Sequence, residues 1–171
     1  QRYYFAKEDE SHRWHLNKAL KVCQEFLNDP LYGNNFQQIN RAITQANVHL
    51  ISESVYTEEE SILYYVEYKN VKKLHFRLIK KPHELPNKTQ LPHYDNLSKL
   101  LKIPALKVWT EQLPEETDHQ THATELFLKA QALGNYYLLV STDETFKPEQ
   151  SKIAFMHFQV SNLSYLSRQT R

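Results

Sequence analysis

The spacing of apolar residues changes at about Asn47. Before it, Leu16, Ala19, Leu20, Cys23, Phe26 and Leu27 recur every three or four positions, which predicts a helix over residues 11–27 with Ser11 as its cap. Asn28-Asp29-Pro30 ends that helix, because a residue preceding proline avoids the helical region. Gly33 with Asn34-Asn35 predicts a turn and a cap, followed by a second helix carrying Phe36, Ile39, Ala42, Ile43 and Ala46 on one face. Two short antiparallel helices form a helical hairpin over residues 1–46, and its apolar face needs a neighbour.

After Asn47 the period becomes two. Val48 to Val55 is rich in β-branched residues, and Ile62, Tyr64, Val66 and Tyr68 alternate with Leu63, Tyr65, Glu67 and Lys69. Leu74, Phe76 and Leu78 then alternate with His75, Arg77 and Ile79, so the stretch around Asn70-Val71-Lys72 reads as a strand pair with a short connection. Four prolines (Pro82, Pro86, Pro92, Pro104) punctuate residues 82–104, read as a surface insertion with a short helix over 95–101. Strands resume at 105–110, 122–128, 136–141 and 153–160, with a further candidate at 163–166.

The expected fold is mainly β with α: an immunoglobulin/fibronectin-like, seven-stranded antiparallel β-sandwich over residues 47–171, preceded by the helical hairpin. Leu133-Gly134-Asn135-Tyr136 sharpens this expectation. A tyrosine entering a strand at a sandwich corner bonds back to nearby backbone, and a preceding glycine lets the chain turn at positive φ.

Composition narrows the function classes. A length of 171 residues favours one domain with an appendage, and 40% hydrophobic residues suffice for one core. Twenty-one basic residues spread among 20 acidic ones, net +1, give no concentrated stripe for phosphates, so a nucleic-acid surface is not expected. No apolar run approaches the length of a bilayer span, and the start lacks a signal-peptide pattern. We expect the chain to be part of a longer protein. Two glycines, Gly33 and Gly134, stand far apart, so glycine-rich phosphate loops are ruled out. Cys23, the single cysteine, allows no internal disulfide and reads as a small buried apolar residue.

Three groups invite a chemical reading. His119 and His122 in Asp118-His119-Gln120-Thr121-His122 point to opposite faces if the segment is a strand, and as a loop they lack a second cluster to complete a tetrahedron. Glu58-Glu59-Glu60 reads as a solvated turn before a strand, although carboxylate pairs can do acid–base work. The adjacent tyrosines 64/65 and 136/137 could stack on a sugar or peptide, but alternation sends one of each pair into the core and the other to a partly exposed face. No residue is assigned a catalytic, cofactor or metal role. No enzymatic activity and no cofactor are expected.

Tyr68-Lys69-Asn70-Val71-Lys72-Lys73-Leu74-His75-Phe76-Arg77-Leu78 resembles the Y-R-N-V-x-K-L-Y-F-R-I stretch of the bacterial alpha-2-macroglobulin family, in its large members typical of Bacteroidetes. Leu113-Pro114 through Glu125 is similar to that family's L-P-x-x-x-D-Y-x-x-H-x-T-E segment, with His119 standing where an aromatic is expected. Leu133 to Ser141, Ile153-Ala154-Phe155 and Phe158 to Leu163 are similar to its L-G-x-Y-x-L-L-A-S, I-A-Y and F-x-V-S-N-L patterns. The likeness covers most of residues 14–166. It implies a macroglobulin (MG) sandwich behind a helical region, serving as a non-catalytic scaffold module of a broad-spectrum protease-trapping inhibitor. The implied partners are other domains of the same chain and, through them, target proteases; the implied place is the periplasm or outer-membrane surface of a Gram-negative cell. The family's thioester motif C-x-E-Q is absent, since Gln24-Glu25-Phe26 follows Cys23. A carbohydrate- or peptide-binding sandwich is the alternative.

Overall fold

The computed structural model describes residues 10–82 and 93–162. In chain order these form α1 (Glu10–Arg13), α2 (His15–Glu25), α3 (Gly33–Thr44), β1 (Asn47–Ser52), β2 (Val55–Tyr56), β3 (Ile62–Lys69), β4 (Lys73–Lys80), α4 (His93–Lys102), β5 (Lys107–Gln112), β6 (His122–Leu128), β7 (Gly134–Ser141) and β8 (Ile153–Val160). The candidate strand at 163–166 lies outside the described residues.

Two sheets make a β-sandwich. One has the order β1-β3-β6, the other β2-β8-β7-β4-β5. Every pairing is antiparallel except that of β2 with β8. Where one strand was expected over 48–55, the chain breaks at Glu53-Ser54, so β1 joins the first sheet and β2 the second. The expected pairing of β3 with β4 is also corrected: they belong to opposite sheets and face each other across the core. Each has one apolar face, and burying both faces against one another removes more apolar surface than placing them side by side. Asn70, at φ 54, makes the turn between the sheets.

The core between the sheets is aromatic at its centre. Ile62, Tyr64 and Val66 of β3 meet Leu74, Phe76 and Leu78 of β4, Tyr136, Leu138 and Val140 of β7, and Phe158 of β8. Phe76 stacks on Trp109 with ring centres 5.2 Å apart, and Tyr136 stacks on Phe158 at 5.3 Å. The Tyr64 hydroxyl is buried without a hydrogen-bond partner.

The corner tyrosine behaves as its motif implies. Gly134 sits at φ 152, and the Tyr136 hydroxyl donates to the Ala132 carbonyl at 2.7 Å. Removing that one bond with Tyr136→Phe leaves the stacked ring in place. Urea denaturation should read a loss of about 1 kcal/mol, the usual net worth of one such bond. A variant as stable as the parent would mean that the corner is held by packing alone.

The expected surface insertion at 82–104 is corrected in its second half. Leu97 and Leu100 of α4 are buried against Ile79, Tyr137, Leu139 and Phe146 on the outer face of the larger sheet. That sheet is thus covered on both faces, which explains why β7 is buried along most of its length. Leu97, Leu100 and Leu101 lie at helical spacing, and the outer side of β4 and β7 supplies the apolar partner they need.

The N-terminal helices also depart from expectation in detail. Ser11 lies inside α1 rather than capping a longer helix, and the helical run breaks at Trp14 before α2 begins. Asn34 and Asn35 fall within the first turn of α3, and the entry is shaped instead by Asp29, whose carboxylate accepts from the Leu31 and Tyr32 backbone N–H groups. A Cβ on Gly33 would lie 2.7 Å from the Leu27 carbonyl oxygen, so the close approach of the two helices requires glycine there. Cys23 and Ile43 are buried, and Phe26 stacks on Phe36 at 5.3 Å.

Candidate functional site

The densest polar chemistry gathers at one end of the sandwich, where β3 ends, β1 and β6 begin and the N-terminal helices arrive. Asp118 is its centre. The residue is only 2% exposed. Its carboxylate accepts from the Gln120 backbone N–H at 3.0 Å, from His122 Nε2 at 2.8 Å and from Arg13 Nε at 2.9 Å. Burial alone would raise its pKa; the Gln120 N–H, the His122 ring and the Arg13 guanidinium outweigh that and hold it below the ordinary carboxylate range. Arg13 reaches on to Glu116 at 2.5 Å, so one guanidinium spans both carboxylates.

Two further bonds join the same surfaces. The Asn17 side-chain amide donates to the Thr117 carbonyl at 2.8 Å, and the Gln120 amide donates to the Arg13 carbonyl at 3.2 Å. A second strand of the network runs through Asn70. Its amide donates to the Ile43 and Gln45 carbonyls at the end of α3, and its Oδ1 pairs with His119 Nδ1 at 2.7 Å. Lys69 donates to the Ala42 carbonyl at 3.0 Å. The last carbonyls of α3, left without partners inside the helix, are thus satisfied from the sandwich. Together these contacts form a polar clasp that fixes the helices to the β3–β4 turn and the β5–β6 loop.

His119 and His122 separate within the clasp. His119 stands at φ 57 and turns towards Asn70, while His122 joins Glu116 and Asp118, with ligand-type atoms within 4.8 Å of one another. His122 thus lies in a cluster that spacing alone did not reveal. The Arg13 guanidinium already bonds to both carboxylates, so any cation there would have to displace it.

The Glu58–Glu60 run lies at the other end of β3, roughly 20 Å from His122 given the rise of a strand. Glu58 accepts from the Leu133 backbone N–H and the Asn162 amide, and Glu60 accepts from the Thr57 backbone N–H. The glutamate run and the two histidines, His119 and His122, are therefore not brought together into one acid–base group. Nor is an aromatic platform built from the residues that suggested one: Tyr64, Tyr136 and Tyr137 are buried, and Tyr65 alone of the two pairs is exposed.

Beside the clasp, at the elbow between α3 and β1, lies an open polar pocket of about 310 Å³. Gln45, Ala46, Asn47, Lys69, Thr121 and Lys152 line it. Burial lowers the pKa of the Lys69 ammonium. Sequence reasoning missed Arg13, Asn70 and Lys69. Arg13 meets its acids across more than a hundred residues, a separation that leaves no local signal.

No protein-family profile matches the chain, and no curated protein matches it. Among solved structures, the crystal structure of the CARDB domain of the Pyrococcus furiosus protein PF1109, described as a complex with di-metal ions, is similar at 13% identity. Its TM-score is 0.39, over 68% of this chain and 88% of that one. The solution structure of the same domain is similar at 14% identity and a TM-score of 0.36, over 67% of this chain and 93% of that one. At such values the likeness bears on neither metal binding nor function.

Proposed function

We propose that the chain is a non-catalytic scaffold module of a bacterial alpha-2-macroglobulin-like protein, an immunoglobulin-like MG sandwich whose lead-in helices form one mechanical unit with it. The clasp carries this reading. Its charged side chains are committed to one another and to backbone groups that join helix to sheet, as a rigid spacer between domains requires. The order of the described strands supports this reading: with β1 and β2 taken as one strand that changes sheets, β1-β3-β6 lies against β8-β7-β4-β5, as in fibronectin-type sandwiches. The sequence resemblance supplies the larger setting: a cell-envelope protein that entraps proteases, in which this block bears on its neighbouring domains. The carbohydrate- or peptide-binding alternative draws less support, since Tyr64 and Tyr136 are buried and only Tyr65 and the partly buried Trp109 remain for it.

The test is made on the parent protein. A trapped protease keeps its activity on a small peptide substrate and loses it on a large protein substrate. Deleting residues 10–162 should abolish that selective loss while the remaining domains stay folded. Undiminished trapping by the deletion variant, or a parent reading frame with no further MG domains, would overturn the proposal.

A further inference from the structure

We propose that the pocket at the elbow between α3 and β1 binds a small oxyanion, of the phosphate or dicarboxylate class, between Lys69 and Lys152. The two lysines come from different sheets, Lys69 from the end of β3 and Lys152 from the residue before β8. Gln45 and Asn47, residues that carry amide donors, also line it, and no aspartate or glutamate belongs to it. The volume of about 310 Å³ takes a hydrated phosphate or a four-carbon dicarboxylate. Lysine ammoniums act as point charges and do not demand planar, bidentate geometry, so both ligand types satisfy them.

What marks the pocket as more than a dent is missing counter-charge. Among the described residues neither lysine forms a salt bridge, and the Lys69 ammonium bonds to a neutral carbonyl, that of Ala42. A partly desolvated cation of this kind gains from an anion more than a fully hydrated one does. The carbonyl end of α3, which would repel an anion, is already quenched by Lys69 and by the Asn70 amide. The site stands on these residues and does not depend on the scaffold role.

The experiment is an NMR titration of the full 171-residue chain with sodium phosphate and, separately, with succinate, against sodium chloride at matched ionic strength. The expected result is saturable amide shifts confined to the segments around residues 42–47, 69, 121 and 152, absent with chloride. Lys152→Met should weaken binding about tenfold, the effect of removing one charge contact. Lys152 is exposed and its ammonium holds no structural bond among the described residues, so this variant decides the matter. Lys69→Met should weaken binding similarly while also shifting amides at the end of α3, because Lys69 satisfies the Ala42 carbonyl there. Response to one of the two anions assigns the class within the oxyanions. Shifts that fail to saturate, that spread over exposed lysines such as Lys129, or that survive Lys152→Met unchanged would overturn the proposal.

Discussion

Phe158→Ala is expected to cost about 4 kcal/mol, the largest effect of any single truncation proposed for this chain. Phe158 is fully buried, stacked on Tyr136 at 5.3 Å and meeting Tyr56 edge-on at 5.9 Å. Truncation removes the transfer energy of a whole ring and two aromatic contacts, and leaves a cavity. The cavity closes poorly, because the Tyr136 hydroxyl is tied to Ala132 and the Tyr56 hydroxyl to the Leu63 carbonyl. A loss of this size is a large share of the whole stability of a domain, so partial unfolding at room temperature should follow. Urea denaturation followed by Trp109 fluorescence measures it. Phe127→Ala, at a residue 69% exposed, serves as the control and should change stability by less than about 0.5 kcal/mol. Equal losses for the two variants would contradict the assigned core.

Asp118→Asn is expected to cost about 2 kcal/mol at neutral pH and to loosen the helices from the sandwich. The new amide places a donor among donors: the Gln120 N–H, Arg13 and the His122 ring all face that position. Arg13 is 45% exposed and regains water when released, which keeps the loss below that of a fully buried pair. The pH dependence has a definite sign. The folded-state pKa of Asp118 is depressed, so its contribution is fully present above the unfolded value near 4 and fades as the pH falls through the folded value. The stability gap between parent and variant should therefore stay constant from pH 7 to 5 and shrink below about pH 4. Denaturation curves at pH 7, 5, 3 and 2 read the gap. Limited proteolysis should cut the α2–α3 connection faster in the variant. A gap that widens on acidification would refute the ionic account.

Local periodicity was readable where one face of an element is apolar and the other polar. β3, β6 and β8 fall where alternation or β-branched runs place them, and α2 and α3 follow their helical spacing. The corner at Tyr136 was readable too, because its geometry is built within five residues. The strand partners were not. Alternation in β3 and β4 states that each has an apolar face, and leaves open whether the two lie side by side or face to face. The short helix within 82–104 was readable, but its packing was not: a short amphipathic run looks alike on a surface and on a sheet, and here its apolar stripe covers the outer face of the larger sheet.

The candidate site was less legible than the fold. Asp118, His119 and His122 stood out by residue type, but Arg13 and Asn70 determine what those residues do. By itself, then, the sequence determined the kind of most of its elements, an apolar core between strands and the corner that starts β7, all consequences of patterns a few residues long. The tertiary structure alone decided which strand joins which sheet, that α4 covers the outer face, and that the polar cluster is spent on holding helix to sandwich. Those depend on burial and on charge pairs between residues far apart in the chain, whose energies exist only once the chain has folded.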